Sequence, residues 1–187
     1  MNPTFPGELR SARLSLRRLQ PDDGPALCAY RSLPGVARYQ YWDAFAAADA
    51  ARLIADQATA EPNIPGTWFQ LAITQTASGS LIGDCGLHCR AEEPRQMEFG
   101  ITLAPRHQGF HYADEAIHCL LAYVFDSLGT HRVTATVDAL NRPAIALCRR
   151  LGFRQEAHLV ENVWFKGAWG SEYIFAMLKR EWENRQR

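Results

Sequence analysis

The hydrophobic period changes from two to 3.6 across one short junction, and few folds accommodate that. Arg95 to Leu103 alternates as a strand, Pro105 ends it, and a basic, glycine-containing loop crosses over. From Ala113 the apolar residues recur at helical spacing, through Ala116, Ile117, Leu120, Leu121, Val124, Phe125 and Leu128, until Gly129 stops the helix. A strand and an amphipathic helix joined this closely must bury their apolar sides together, which demands a layered sheet-and-helix architecture. The junction also has chemical potential. The first turn of a helix leaves backbone N–H groups unpaired at the positive end of its dipole, so the loop before Ala113 is a candidate phosphate site. A plain strand-to-helix turn is the competing reading, because one glycine is a weak motif.

The rest of the chain follows the same grammar. Arg13 to Leu19 reads as a strand, and Pro21-Asp22-Asp23-Gly24 turns into a helix through about Leu33. A second helix, about Ala47 to Thr59, ends at the turn-rich Glu61 to Gly66. Thr67–Thr74, Leu81–Cys89 and Arg95–Leu103 predict an antiparallel meander. After the long helix come a strand, Arg132–Val137, and a helix with Asn141 as N-cap, Pro143 in its first turn and Gly152 at its C-terminus. Two strands, near Ala157–Phe165 and Ser171–Leu178, flank Lys166-Gly167-Ala168-Trp169 as a hairpin. The order β-α-α-β-β-β-α-β-α-β-β predicts one α/β (α+β) domain over 1–187, with a mixed, largely antiparallel sheet and helices on both faces.

Charge narrows the partners. Twenty Lys+Arg balance 20 Asp+Glu, so neither nucleic acid nor a membrane surface is expected as a direct partner. Arg10, Arg13, Arg17 and Arg18 form the densest basic run, a weaker basis for a ribosome-associated interaction protein. No apolar run approaches the about 20 residues of a spanning helix, and the start lacks a signal-peptide pattern, so the expected location is cytoplasmic. The five cysteines include no CxxC pair and read as reduced thiols. Cys85, His88 and Cys89 alternate faces of a strand and lack a fourth ligand, so no metal is expected. Gly100, mid-strand, marks either a bulge that opens a slot for an extended ligand or space for a side chain of the adjoining helix.

Five stretches taken together resemble the GCN5-related N-acetyltransferases (GNAT), specifically the RimJ/RimL-like branch that acetylates ribosomal-protein N-termini. They are Ala12-Arg13-Leu14-Ser15-Leu16-Arg17, Glu98-Phe99-Gly100-Ile101, Arg106-x-x-Gly109, Asn141-Arg142-Pro143-Ala144 through Leu151-Gly152-Phe153, and Phe165-Lys166-Gly167-x-Trp169. The resemblance implies acetyl-CoA as co-substrate, its pantetheine arm beside the Glu98 to Leu103 strand, where Ile101, Thr102 and Leu103 would contact it, and held by Asn141. Its pyrophosphate would lie over Gln108, Gly109, Phe110, His111, Tyr112 and Ala113, with Arg106 and His107 of the same loop as further cofactor-binding candidates. It implies direct attack by a primary amine, from a protein N-terminus or a small molecule, with Glu98 as general base.

Departures from the family pattern concern the acid and the loop. Cys148 stands where relatives often carry Tyr, and Ala144 where some carry Ser; Cys148 is the candidate acid for the departing thiolate, though it also lies on the apolar stripe. His111 replaces a loop glycine, so a position that needs positive φ would force the loop to differ. Tyr41, Trp42 and Trp164 are candidate walls of an acceptor groove. A non-catalytic CoA-binding or regulatory module of the same fold is the alternative, and a homodimer is left open.

Overall fold

The computed structural model describes residues 4–186. Eight strands form one sheet: β1 (Glu8–Arg10), β2 (Leu14–Arg18), β3 (Trp68–Gln75), β4 (Leu81–Cys89), β5 (Gln96–Leu103), β6 (Arg132–Asp138), β7 (Arg154–Phe165) and β8 (Ala168–Leu178). Their spatial order is β1-β2-β3-β4-β5-β6-β8-β7, antiparallel throughout except between β5 and β6. The helices are α1 (Gly24–Arg31), α2 (Pro34–Ala37), α3 (Ala47–Gln57), α4 (Tyr112–Ala122, continued by a π-turn over Tyr123–Ser127), α5 (Arg142–Leu151) and α6 (Lys179–Arg185). The mixed, largely antiparallel sheet is the expected one. Strand β1 and helices α2 and α6 were not expected, because each is too short to show a period of its own.

Alternation along the strands sorts side chains into two cores. Phe69, Leu71, Leu87, Met97, Val133 and Phe175 pack with Ile117, Leu120 and Leu121 of α4. On the same side Trp182 of α6 lies 5.9 Å from Phe125. The opposite face is smaller: Leu27 and Tyr30 of α1, Ile54 of α3 and Ala72 of β3 close it. Helix α5 begins as expected, with Asn141 Oδ1 accepting the Ala144 N–H at 3.3 Å. It ends at Gly152 in the left-handed region (φ +82°), the following Phe153 N–H returning to the Cys148 carbonyl at 2.9 Å.

The junction of β5 and β6 positions everything that follows. Only Gln96↔Arg132, Met97↔Val133 and Glu98↔Thr134 pair in parallel. Beyond them β5 stays with β4 as far as Leu103↔Gly83, while β6 stays with β8 as far as Asp138↔Glu172. The sheet therefore splits after Glu98 and Thr134, leaving one edge of β5 without a strand partner. The opening does not come from a bulge at Gly100: β4 and β5 pair without a register shift, Gly100 opposite Gly86. Nor does Gly100 make room for a helix, since a Cβ there would meet nothing within 4 Å.

Beneath the smaller core sits a buried polar knot. Asp84, 1% exposed, accepts hydrogen bonds from Tyr30 Oη, from Arg31 Nη2 at 2.5 Å and Nε at 3.2 Å, and from Gln70 Nε2. Arg31 is capped by the rings of Trp42 at 4.5 Å and Phe45 at 5.0 Å. Burial, and then the Asp84 carboxylate, push the Tyr30 hydroxyl well above the usual phenol range, so it remains a donor. Asp84→Ala leaves a buried guanidinium without its counter-charge. Urea unfolding is expected to show a loss of about 3–5 kcal/mol, and a loss below 1 kcal/mol would contradict the role given to this knot.

Candidate active site

At the split, β5 runs into a 3-10 turn over Pro105–His107 and then into the loop before α4. Gln108 Nε2 reaches back to the Leu103 carbonyl at 3.0 Å, folding the loop over the end of the strand. Gly109 (φ +82°) and His111 (φ +61°) both lie in the left-handed region. A histidine thus takes the left-handed backbone at the position where the family pattern has glycine. Histidine is among the residues more often found there, at a cost of about 1–2 kcal/mol relative to a relaxed backbone. Among the described residues, the N–H groups of Gly109, Phe110 and His111 meet no backbone carbonyl, and those of Tyr112 and Ala113 open helix α4.

This cradle is tied to both sides of the protein. Glu115 of α4 accepts Ser11 Oγ at 2.8 Å and the main-chain N–H and Nε of Arg13, each at 2.7 Å. Arg13 in turn donates to the Phe110 carbonyl at 3.2 Å and covers the Tyr112 ring at 4.5 Å. Asp114 accepts Arg150 Nε of α5 at 2.6 Å and lies 3.4 Å from His111 Nδ1. The other arginines of the basic run are also engaged: Arg10 with Glu8, Arg17 with Asp23, Arg18 with Glu61.

Two cavities open from the split. The first, about 320 Å³, is lined by Ile101, Thr102, Leu103, Gln108, Gly109, His111, Tyr112, Ala113 and Asn141, nine of the positions expected to hold the cofactor. Arg106, His107 and Phe110 do not line it. Arg106 instead donates to His107 Nε2 at 3.0 Å, and Phe110 is 58% exposed. Burial, and then the Arg106 charge, hold the His107 imidazole below its usual pKa.

The second cavity, about 630 Å³, lies over the face that carries α1 and α3. It contains Glu98, Tyr41 and Trp42, with Cys148 in its wall. Trp164 is outside it: Val163 and Phe165 face the cavity, and strand alternation sends Trp164 to solvent, 5.5 Å from Trp169. The cavities share Tyr39, Gln40, Ile101, Thr102, Asn141, Ala144 and Leu147, so they meet where the strands separate.

Its charge is acidic. Asp138 and Glu172 form no salt bridge among the described residues, and Glu98 faces Arg90 only at 3.8 Å, beyond hydrogen-bond length. Cys148 is 2% exposed, and burial pushes its thiol up to about 12.

A strap that sequence patterns did not reveal closes the top of this cavity. Gln40 Nε2 donates to Thr102 Oγ1 and Tyr39 Oη to the Leu140 carbonyl, both at 3.2 Å. Lys166, from the β7–β8 turn, donates to the carbonyls of Ala37 at 2.8 Å and Trp42 at 2.7 Å and pairs with Asp43 at 3.0 Å. None of these contacts has a local signature, since each joins residues far apart in the chain.

Comparison with known proteins agrees with this geometry. The sequence signature of the acetyltransferase (GNAT) domain matches residues 13–154. The chain is 32% identical over 178 residues to the uncharacterized N-acetyltransferase p20 of Bacillus licheniformis, covering 93% of this chain and 97% of that protein. Among solved structures, a GNAT-family acetyltransferase from Bacillus anthracis superposes with a TM-score of 0.84 at 23% identity, over 93% of this chain and 99% of the other. The spermidine N-acetyltransferase of Vibrio cholerae, solved in complex with CoA and spermine, does so with a TM-score of 0.80 at 23% identity, over 93% and 100%. At these identities the two structures establish a shared fold.

The left-handed histidine makes a prediction about the loop. His111→Gly relieves the backbone but adds unfolded-state entropy, so urea unfolding is expected to show a gain of about 0.5 kcal/mol. His111→Val, β-branched at the same φ, is expected to lose at least about 1 kcal/mol. Equal stability of the two variants would contradict the strain.

Proposed function

The chain belongs to the acetyltransferase (GNAT) family, and on that premise we propose that it transfers acetyl from acetyl-CoA to a cationic primary amine by direct attack. The observation that carries this reading is the meeting of the two cavities at the split. One is floored by free helix N–H groups and the other is walled by carboxylates.

The residues present fit acetyl-CoA. Gly109, where a Cβ would meet nothing within 4 Å, leaves the backbone of the cradle accessible, and the N–H groups through Ala113 with the α4 dipole suit a pyrophosphate. The unpaired edge of β5 offers N–H and C=O groups to the pantetheine amides, and Thr102 and Asn141 stand at the junction. Bound acetyl-CoA supplies the thioester carbonyl and a thiol leaving group.

The chain's own groups do the rest. An alkylammonium near pKa 10 must lose a proton before it can attack, and Glu98, in the wall of the acidic cavity, accepts it directly or through water. N–H groups on the free edge of β5 are the donors available to the oxygen that gains charge. Cys148 is a poor acid for a leaving thiolate: at about 12 it holds its proton more firmly than an ordinary thiol near 8.5. Solvent entering through the open cavities is the better proton source. Glu98, Asp138 and Glu172 favour a cationic acceptor, a description that covers both a protein N-terminus of the RimJ/RimL kind and a small polyamine like the ligand of the Vibrio relative.

Calorimetry with acetyl-CoA, followed by thiol release with a panel of peptide N-termini and small amines, tests the reading. Saturable binding and turnover on at least one amine are expected. Glu98→Gln is expected to lower kcat/KM about 100-fold or more near neutral pH while acetyl-CoA affinity holds. Binding without turnover across the panel would instead support a non-catalytic CoA-binding module, and an unchanged kcat/KM in Glu98→Gln would remove Glu98 as base.

A further inference from the structure

Three rows of side chains cross the floor of the acidic cavity. Trp68↔His88↔Glu98, Gln70↔Gly86↔Gly100 and Ala72↔Asp84↔Thr102 are paired across β3, β4 and β5, and strand alternation puts all three rows on the face toward α1 and α3. The middle row has no side chain at two of its three positions, so the floor is a trough with polar walls. Above Gly100 the trough is open. Above Gly86 it is not: a Cβ there would collide with Gln70 Oε1 and come within 3.1 Å of Trp68 Cε3. The Gln70 carboxamide therefore lies across β4 with its oxygen over the glycine floor.

The orientation of that carboxamide is dictated by its neighbours. Gln70 Nε2 donates to Asp84, whose carboxylate only accepts. Asp84 cannot turn away, because Tyr30 and the two Arg31 nitrogens hold it. The base of the side chain is fixed as well, since the Gln70 main-chain N–H donates to Gln57 Oε1 at 2.7 Å. With its NH₂ spent on Asp84, the amide must present Oε1, an acceptor with no donor among the described residues, to the cavity that it lines.

We infer that Gln70 reads a hydrogen-bond donor on the acceptor amine, at a point removed from the nitrogen that reacts; this rests on the acetyl-transfer reading above. Adjacent strands lie about 4.8 Å apart, so an oxygen over β4 stands roughly 5–10 Å from the split beyond β5 where transfer takes place. A second amine, an amide N–H or a hydroxyl a few bonds from the reacting nitrogen meets that requirement, and a plain alkyl chain does not. Glu98, Asp138 and Glu172 favour the charge of the acceptor; Gln70, being neutral, selects for a donor.

Three five-carbon acceptors separate these effects: 1-aminopentane, 5-aminopentan-1-ol and 1,5-diaminopentane, compared by kcat/KM from thiol release. The wild type is expected to prefer both donor-bearing amines by about tenfold over 1-aminopentane. Gln70→Met, which fills the same space without the oxygen, is expected to cut the preference for the alcohol to within about twofold, while calorimetric acetyl-CoA affinity is retained. Gly86→Ala displaces the Gln70 oxygen without removing it and is expected to have the same effect, and the double variant no further loss. Thiol release without donor preference in the wild type, or a preference that survives Gln70→Met, overturns the role of Gln70 and leaves acetyl transfer intact. If none of the three amines releases thiol while a peptide N-terminus does, the role of Gln70 falls and acetyl transfer stands; if no amine, small or peptide, releases thiol, both readings fall.

Discussion

Two strands that pair in parallel for three residues and then part company set the geometry of this protein. Hydrogen bonding demands that each strand keep a neighbour, and each does: β5 keeps β4 to its end and β6 keeps β8. The cost falls on one edge of β5, whose amide groups are left without a strand partner. The closing residues of β5, the loop that turns into α4 and the start of α5 all border this opening, so an anion cradle and an acidic trough share one mouth.

Stability and site geometry are coupled through the buried Asp84. Its four donors come from α1 and β3, so the carboxylate clamps a helix to the sheet and at the same time fixes the amide of Gln70. Such a knot is costly to desolvate and costly to break, and its best use is to hold one conformation. The strap from Ala37 to Asp43 is fixed in the same manner from the far side, by Lys166 in the β7–β8 turn, whose own backbone takes φ +50°. Elements remote in sequence thus meet over the second cavity.

Much of the fold was legible in the residues themselves. The period switch at Pro105, the Asn141 cap, the Gly152 stop and the hairpin at Lys166-Gly167 are local signals, and the structure has the element each one predicts. Eight of the nine expected cofactor positions that line the first cavity do so because a strand end followed at once by a helix start can hardly be arranged otherwise, and Asn141 joins them from the start of α5. Other expectations turned on more than local signals. Gly100 suggested a bulge because a mid-strand glycine has several uses, and only its pairing with Gly86 shows which applies. Trp164 was assigned to the groove by residue type, whereas strand parity turns it outward. Cys148, a candidate acid that also lay on the apolar stripe, is buried, and burial pushes its thiol up to about 12.

The amino-acid sequence by itself determined the order and type of the major elements, the layered α/β class and the loop that leads into α4, because period, caps and turn residues act over a few neighbours. Only the tertiary structure decided which strand lies beside which, where the sheet parts, that Gln70, Asp84 and Gln40 line the second cavity, and that Lys166 ties down the strap over it. Those residues stand on elements separated by much of the chain. Their meeting depends on the burial of the whole sheet between its two layers of helices, and no local pattern encodes it.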